Sequence, residues 1–496
     1  MLLSLLAVAA ATSLQIEEAT VAELQARMQA GTLTARALAE AYIARIREVD
    51  PKLHAVLELN PDALATASAL DDERKARGPR GPLHGIPVLI KDNIATADAM
   101  QTTAGSLALA AVRPPKDAAI VQRLRAAGAV ILGKTNLSEW ANIRSTHSSS
   151  GWSGRGGQTR NPYVLDRTPC GSSSGTGAAI SASLAPIGVG TETDGSIVCP
   201  SAASALVGIK PTIGLVSQSG IVPISHTQDT AGPMARTVAD AAALLTALGE
   251  NGTDYARSLD ARALKGARIG VVRGKLAGVS PAADRVFETA LQAMKEQGAV
   301  LVDADLPHLG EYDDAELEVL LTELKSDLTR YLAEYAPGAP FKDLAGLIAW
   351  NRAHAGVELQ WFGQELFEQA LAKGALDGSA YRKALAKCRS LAREKGIDAV
   401  LSRLQLDALV APTGGPPWVI DLVTGDHSGL SSSTPAAVAG TPAITVPAGF
   451  DHELPIGVTF MGRAWSEARL VQLAYSFEQA THARRAPKFL PTVPLR

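Results

Sequence analysis

With 496 residues, 46% of them apolar and only 4% aromatic, the chain holds material for a large core of Ala, Leu, Val and Ile. A net charge of −3 without any Lys/Arg-rich run excludes a general attraction to nucleic acid or anionic membrane. Three cysteines are too few for a disulfide scaffold and lack metal-ligand spacing; Cys170 and Cys199 could pair in an oxidising compartment but read as buried small residues, with Cys388 remote from both.

Length alone suggests about three domains. The scatter of chemistry-bearing motifs over most of the chain argues instead for one domain over residues 14–496. Residues 1–13, MLLSLLAVAAATS, are apolar yet too short to span a bilayer. They read as a secretory signal segment, with Ala9 and Ala11 near the cleavage point, although no Lys or Arg precedes the run. An exported location, periplasmic or secreted, follows; the alternative is a packed N-terminal arm on a cytoplasmic protein.

From Thr20 the pattern turns helical, with Val21, Leu24 and Met28 on one face, then Leu38, Tyr42 and Ile46 on the next. Gly85–Lys91 predicts a short buried strand ending in lysine. A helix around 120–127 and a strand at 130–133 follow. Residues 145–157, rich in Ser and Gly, resemble a flexible linker, but their place between structured segments favours an ordered active-site loop. Between Ser172 and Ser196 the pattern is helix, then strand. A loop region after Thr212 leads to a helix from Val238. Beyond it stand a strand at 267–274, a helix through Val286–Met294 ended by Gly298, a strand at 300–302 and a long helix over 316–335. Residues 341–396 look helical, and 255–400 as a whole read as a mostly helical region shaping the substrate entrance. Strands at 408–411, 443–446 and 457–460 and a final helix carrying Leu470, Leu473 and Phe477 close the chain. The alternation predicts an α/β fold with a mixed, mostly parallel sheet covered by helices on both faces.

Two glycine-wrapped serines stand 24 residues apart, Ser172 in CGSSSGTG and Ser196 in GTETDGSI. Glycine beside serine permits a sharp turn whose N–H groups gather next to a hydroxyl. A serine hydroxyl needs a base, and its tetrahedral intermediate needs donors. The backbone amides of Thr193, Asp194, Gly195 and Ser196 are the candidate donors. On residues alone, Ser196 reads equally as a turn serine, and Lys91 reads more readily as a strand-end lysine paired with Asp92. His84, near Lys91, and His226, in PISHTQD, are the plausible histidine bases; both read as loop or core residues. GSSSGTG lacks the ending of a nucleotide-binding loop.

The segments GIPVLIKDN (85–93), GKTNLSEWA (133–141), GGQTRNP (156–162), GSSSG (171–175), GTETDGSI (190–197), VGIKPT (207–212), TPAITVPAGF (441–450) and LPIGVTFMGRAWSE (454–467) resemble the amidase signature family. GTETDGSIVCPS followed by PISHTQDTAGPM is most similar to the peptide amidase branch. The resemblance implies that family's fold and a Ser-Ser-Lys hydrolase: Ser196 as nucleophile, Ser172 as bridging serine after a cis Gly171–Ser172 bond, Lys91 as base. It also implies an oxyanion hole at residues 193–196, with Gly171 and Ser173 in support. The commoner family pattern has Asp, Gly and Arg where this chain has Glu192, Asp194 and Val198. The loop thereby loses an arginine and gains one carboxylate, which would either steer an ammonium-bearing substrate or be tied to a local N–H group. The implied reaction removes ammonia from C-terminal peptide amides without metal or cofactor; nucleic acid is not an expected partner. The rivals are an amidase for fatty, aryl or small primary amides, a glutaminase component of a transamidation complex, and a non-catalytic binding protein.

Overall fold

Apolar runs of four to six residues are too short for helices and too continuous for a half-exposed sheet, and they become interior strands. The computed structural model describes residues 14–278, 280–429 and 431–494, so the signal segment at 1–13 lies outside the described residues. In chain order the strands are β1 (Val56–Leu59), β2 (Pro87–Lys91), β3 (Val130–Thr135), β4 (Trp152–Ser153), β5 (Gly157–Gln158), β6 (Ile187–Glu192), β7 (Val207–Lys210), β8 (Thr230–Ala235), β9 (Arg268–Val272), β10 (Val300–Ala304), β11 (Ala408–Pro412), β12 (Ala443–Asp451) and β13 (Leu454–Met461). Eleven form one sheet in the order β1-β3-β2-β6-β8-β7-β12-β13-β11-β9-β10, while β4 and β5 make a separate ribbon. Every residue of β2, β3 and β6 is buried, which requires cover on both faces.

The expected α/β class and mixed sheet are observed. Parallel pairing is confined to two flanks, β3-β2-β6 and β11-β9-β10, where helices such as Ala119–Ala126 and Pro281–Glu296 carry the chain back between strands. The middle, β6-β8-β7-β12-β13-β11, is antiparallel. "Mostly parallel" therefore holds for the flanks only.

The loop expected between Thr212 and Val238 contains a central strand instead, β8. Its sequence, TAGPMA, carries the two residues that ordinarily argue against an interior strand. Gly232 is needed because an added Cβ would lie 2.0 Å from Ile209 O of the neighbouring strand. Pro233 stands where the β7–β8 pairing, last seen at Gly208 and Met234, has ended.

Residues 305–407 form a long crossover between β10 and β11, both of which pair with β9. It contains the helices Asp313–Tyr335, Leu344–Ala353, Glu365–Ala372 and Ser379–Cys388. Tyr312, Val319, Tyr381 and Ile397 of this crossover pack with Leu409 and Met461 of the sheet in a second apolar cluster beside the main core.

Candidate active site

Lys91 ends β2 and Glu192 ends β6; because these strands are parallel neighbours, their carboxyl ends open at the same edge. Ser172 precedes the wholly buried helix Ser174–Ser181, which leads into β6. The helix begins at Ser174, ahead of Gly177, where the GSSSGTG pattern predicts its start. Ser173, at its N-cap, makes no capping bond through its side chain, so this serine run does not serve as a cap.

The Lys91 side chain is fully buried. Its Nζ lies 2.8 Å from Ser172 Oγ, 2.9 Å from Thr191 Oγ1 and 3.2 Å from Thr191 O. Burial pushes the ammonium down to about 7, against the pull of the Asp229 and Glu192 carboxylates. Lys134 and Lys210 are buried too, and burial lowers each to about 8. Their ammonium groups meet Ile94 O and Thr102 Oγ1, and Pro211 O, and neither touches a serine. Asp92, the alternative partner of Lys91, is taken by Arg155 and Thr103.

The Gly171–Ser172 peptide is cis, as the resemblance implied. Gly171 admits no side chain: a Cβ there would stand 2.2 Å from Ser138 Oγ. Ser173 knits the site. Its N–H donates to Ser196 O (3.1 Å), its hydroxyl donates to Thr191 O (3.0 Å), and it accepts from Thr191 N (3.1 Å). These bonds bring the loops of Ser172 and Ser196 together. Ser196 Oγ itself makes no hydrogen bond among the described residues, so the Lys91–Ser172 link is formed while the Ser172–Ser196 link is not.

Glu192 organises the loop that carries Ser196. Its carboxylate accepts from the N–H groups of Gly195 (3.0 Å), Ile197 (2.7 Å) and Val198 (3.0 Å). This removes Gly195 from the expected oxyanion donors, because its N–H is already bound. The amides of Thr193, Asp194 and Ser196 have no acceptor among the described residues and remain open. Gly195 is in the left-handed region at φ 81°, which lets the chain bend sharply before Ser196. The Asp194 carboxylate accepts from Ser433 Oγ. Glu192 is thus tied to local N–H groups, whereas the added carboxylate, Asp194, is tied to a hydroxyl 239 residues away in the chain rather than to a local N–H. Burial raises the Glu192 carboxyl, with Lys210 opposing.

Cys170 and Cys199 form a disulfide, contrary to the reading as separate buried residues. The fold brings the residue before Gly171 and the residue three after Ser196 to a Cα–Cα distance of 5.9 Å. With a sequence separation of 29, loop-closure entropy assigns this bond roughly 3–4 kcal/mol. A Cys170→Ser/Cys199→Ser protein is expected to lose about that much unfolding free energy in a denaturant titration. An unchanged midpoint and slope would contradict it.

The histidines fall where expected, away from the serines. His84 Nε2 faces Leu70 O at 2.9 Å, and His226 Nδ1 faces Asp327 Oδ2 at 2.9 Å. His226, Glu323 and Asp327 lie close enough together to suggest a metal site. However, both ring nitrogens of His226 face carboxylates, and Glu323 already accepts from Ser225, Thr227 and Tyr381, a hydrogen-bonded clamp. Cavities of about 710 and 280 Å³ both border the 225–229 turn, but neither is lined by Lys91, Ser172 or Ser196. Chemistry rather than concavity marks the site.

Two contributors escape a reading of the sequence. Thr191 holds Lys91 through its hydroxyl and carbonyl, and Asn93 Nδ2 donates to the same hydroxyl at 2.9 Å. Both lie inside motifs already singled out, but nothing in a sequence tells which polar neighbour touches the lysine.

A profile of the Amidase family matches residues 37–471. The chain belongs to the amidase family. It is 39% identical to a probable amidase of Arabidopsis thaliana over 97% of this chain and 93% of the relative. It is also 35% identical to a glutamyl-tRNA(Gln) amidotransferase component of Chloroflexus aurantiacus, over 95% and 99%. Among solved structures, native peptide amidase from Stenotrophomonas maltophilia is similar at 51% identity and a TM-score of 0.91, over 96% of this chain and 99% of that one. This amidase is accordingly a hydrolase of amide C–N bonds. No helix among the described residues is long and apolar enough to cross a membrane.

Proposed function

We propose that this amidase works by a Ser-Ser-Lys mechanism and deamidates C-terminal peptide amides, releasing ammonia. The observation that carries the mechanism is the buried contact of 2.8 Å between Lys91 Nζ and Ser172 Oγ, with a lysine whose ammonium is lowered to about 7. Similarity to the peptide amidase at 51% identity supports the substrate class.

Neutral Lys91 accepts the Ser172 proton as Ser172 accepts that of Ser196, and Ser196 Oγ bonds to the carbonyl carbon. The charge that develops on oxygen is met by the free amides of Thr193, Asp194 and Ser196, each worth about 3–4 kcal/mol in the transition state. The proton returns through Ser172 to the departing nitrogen as the C–N bond breaks. Water, activated through the same serine, then releases the acid from Ser196. The helical region at 255–400 is the proposed substrate entrance. An exported location is proposed as well, because a structural disulfide persists in oxidising compartments.

The test is ammonia release from a panel of peptide amides, free amino-acid amides, fatty and aryl amides and glutamine, with fluorophosphonate labelling in parallel. Peptide amides are expected to give a kcat/KM at least tenfold above every other class. Preference for glutamine would favour the transamidation reading suggested by the amidotransferase relatives. Absence of both labelling and turnover would favour a binding protein.

A further inference from the structure

An oxyanion hole works only if its donors are held in place before the reaction, so whatever fixes Thr193, the first residue of the loop, bears on the rate. The Thr193 hydroxyl donates to Asp229 Oδ1 at 2.6 Å. The other oxygen of that carboxylate accepts from Ile224 N (2.7 Å) and Ser225 N (2.9 Å), so Asp229 cannot swing away. Beside it, Gln228 Nε2 lies 3.5 Å from Thr193 O and donates to Glu316 Oε1 at 2.8 Å.

The 225–229 turn is in turn gripped from one helix. Glu316, Glu323 and Asp327 of the helix Asp313–Tyr335 are spaced seven and four residues apart, which puts all three carboxylates on one face. Glu323 accepts from Ser225 Oγ (2.5 Å) and Thr227 N (3.1 Å), and Asp327 accepts from His226 N (3.0 Å). A continuous set of buried and half-buried hydrogen bonds therefore runs from the helical crossover, through the turn, to the head of the oxyanion loop.

We propose that Asp229 is a positioning residue for the oxyanion loop, and that the helix Asp313–Tyr335 sets the orientation of the Thr193 amide through the 225–229 turn. The proposal rests on the Ser-Ser-Lys reading above. Asp229 touches no reacting atom; it acts by holding Thr193. An Asn at 229 retains one acceptor oxygen and turns an NH₂ toward existing donors, so it breaks one side of the link. Valine at 193 keeps the shape of threonine and removes the donor.

The full-length protein is assayed for kcat and KM on a peptide amide and for the rate of fluorophosphonate labelling, as Thr193→Val, Thr193→Ser, Asp229→Asn and Glu323→Gln. Thr193→Val and Asp229→Asn are expected to lower kcat about ten- to a hundredfold with KM within threefold, and to slow labelling in step. Thr193→Ser, which restores the hydroxyl, is expected to recover most of what valine loses. Glu323→Gln is expected to shift kcat in the same direction by a smaller factor. The proposal is overturned if Thr193→Val and Asp229→Asn keep full kcat, or if kcat and KM worsen together and serine gives no recovery. Ser196→Ala separates the two readings. If that protein stays active, the serine mechanism itself falls; if it is inactive while Thr193→Val is fully active, only the positioning role falls.

Discussion

Replacing Ser196 by alanine is expected to cut amide hydrolysis by about four to six orders of magnitude, because a nucleophile that acts with its partners as a unit takes almost the whole enhancement with it. The fold should not notice. Ser196 Oγ has no hydrogen-bonded partner among the described residues, so its removal leaves no buried group unsatisfied. The substitution also keeps the backbone through which Ser173 N reaches Ser196 O at 3.1 Å. The expected result is thus a protein with wild-type thermal and denaturant unfolding and almost no ammonia release. Retention of full amidase activity would remove Ser196 from the mechanism. A large loss of stability would mean that the hydroxyl has a structural partner.

The second large effect concerns Lys91 and has opposite signs for rate and stability. Only the neutral amine can accept a proton, and burial lowers the ammonium to about 7, so wild-type activity is expected to climb as pH rises through about 7. Lys91→Ala should lower kcat by about two to four orders of magnitude, the usual scale of general-base catalysis, and should lose that limb of the pH profile. Equal activity of the variant at pH 7 and at pH 9–10, at wild-type levels, would refute the base role. For stability, the folded pKa near 7 lies below the ordinary 10.5, so between these values the unfolded chain binds more protons than the folded one. Stability from this group therefore rises with pH across that window, and below pH 7 the burial penalty is complete. The difference between 10.5 and about 7 corresponds to roughly 5 kcal/mol, an upper bound before lost hydrogen bonds are counted. Lys91→Met is expected to unfold at higher denaturant than the wild type at pH 6–7, with the gap closing toward pH 10. A gap that widens with pH would contradict the lowered pKa.

Much of this site is legible in the sequence because its chemistry sits on strand ends and tight turns. Lys91 closes a run of apolar residues, and the glycines around Ser172 and Ser196 announce backbone bends. Their convergence needs the family resemblance, since no spacing rule says that β2 and β6 are neighbours. What stays hidden is long-range or locally ambiguous. β8 reads as loop because Gly232 and Pro233 carry the usual breaker signal, and only the nearby Ile209 carbonyl explains the glycine. The β12–β13 hairpin turns on His452 and Glu453, both at positive φ (49° and 68°), where sequence patterns look for Asn and Gly. Gly195 reads as one more donor, and only the side chain of Glu192, three residues earlier, removes it. The pairing of Cys170 with Cys199 stays undecided in the sequence because their proximity depends on how the helix after Ser172 returns into β6.

The crossover at 305–407 has an implication for how this scaffold diversifies. Its two ends are pinned on either side of β9, about two strand spacings or roughly 10 Å apart laterally, by pairing that involves none of its own side chains. Lys91, Ser172 and Ser196 hang from β2, β6 and the turns beside them, on the other flank of the sheet. A lineage could lengthen, shorten or resurface the crossover while Lys91, Ser172 and Ser196 kept their places. The constraint on such drift would include Glu316, Glu323 and Asp327, through which the variable segment grips the 225–229 turn.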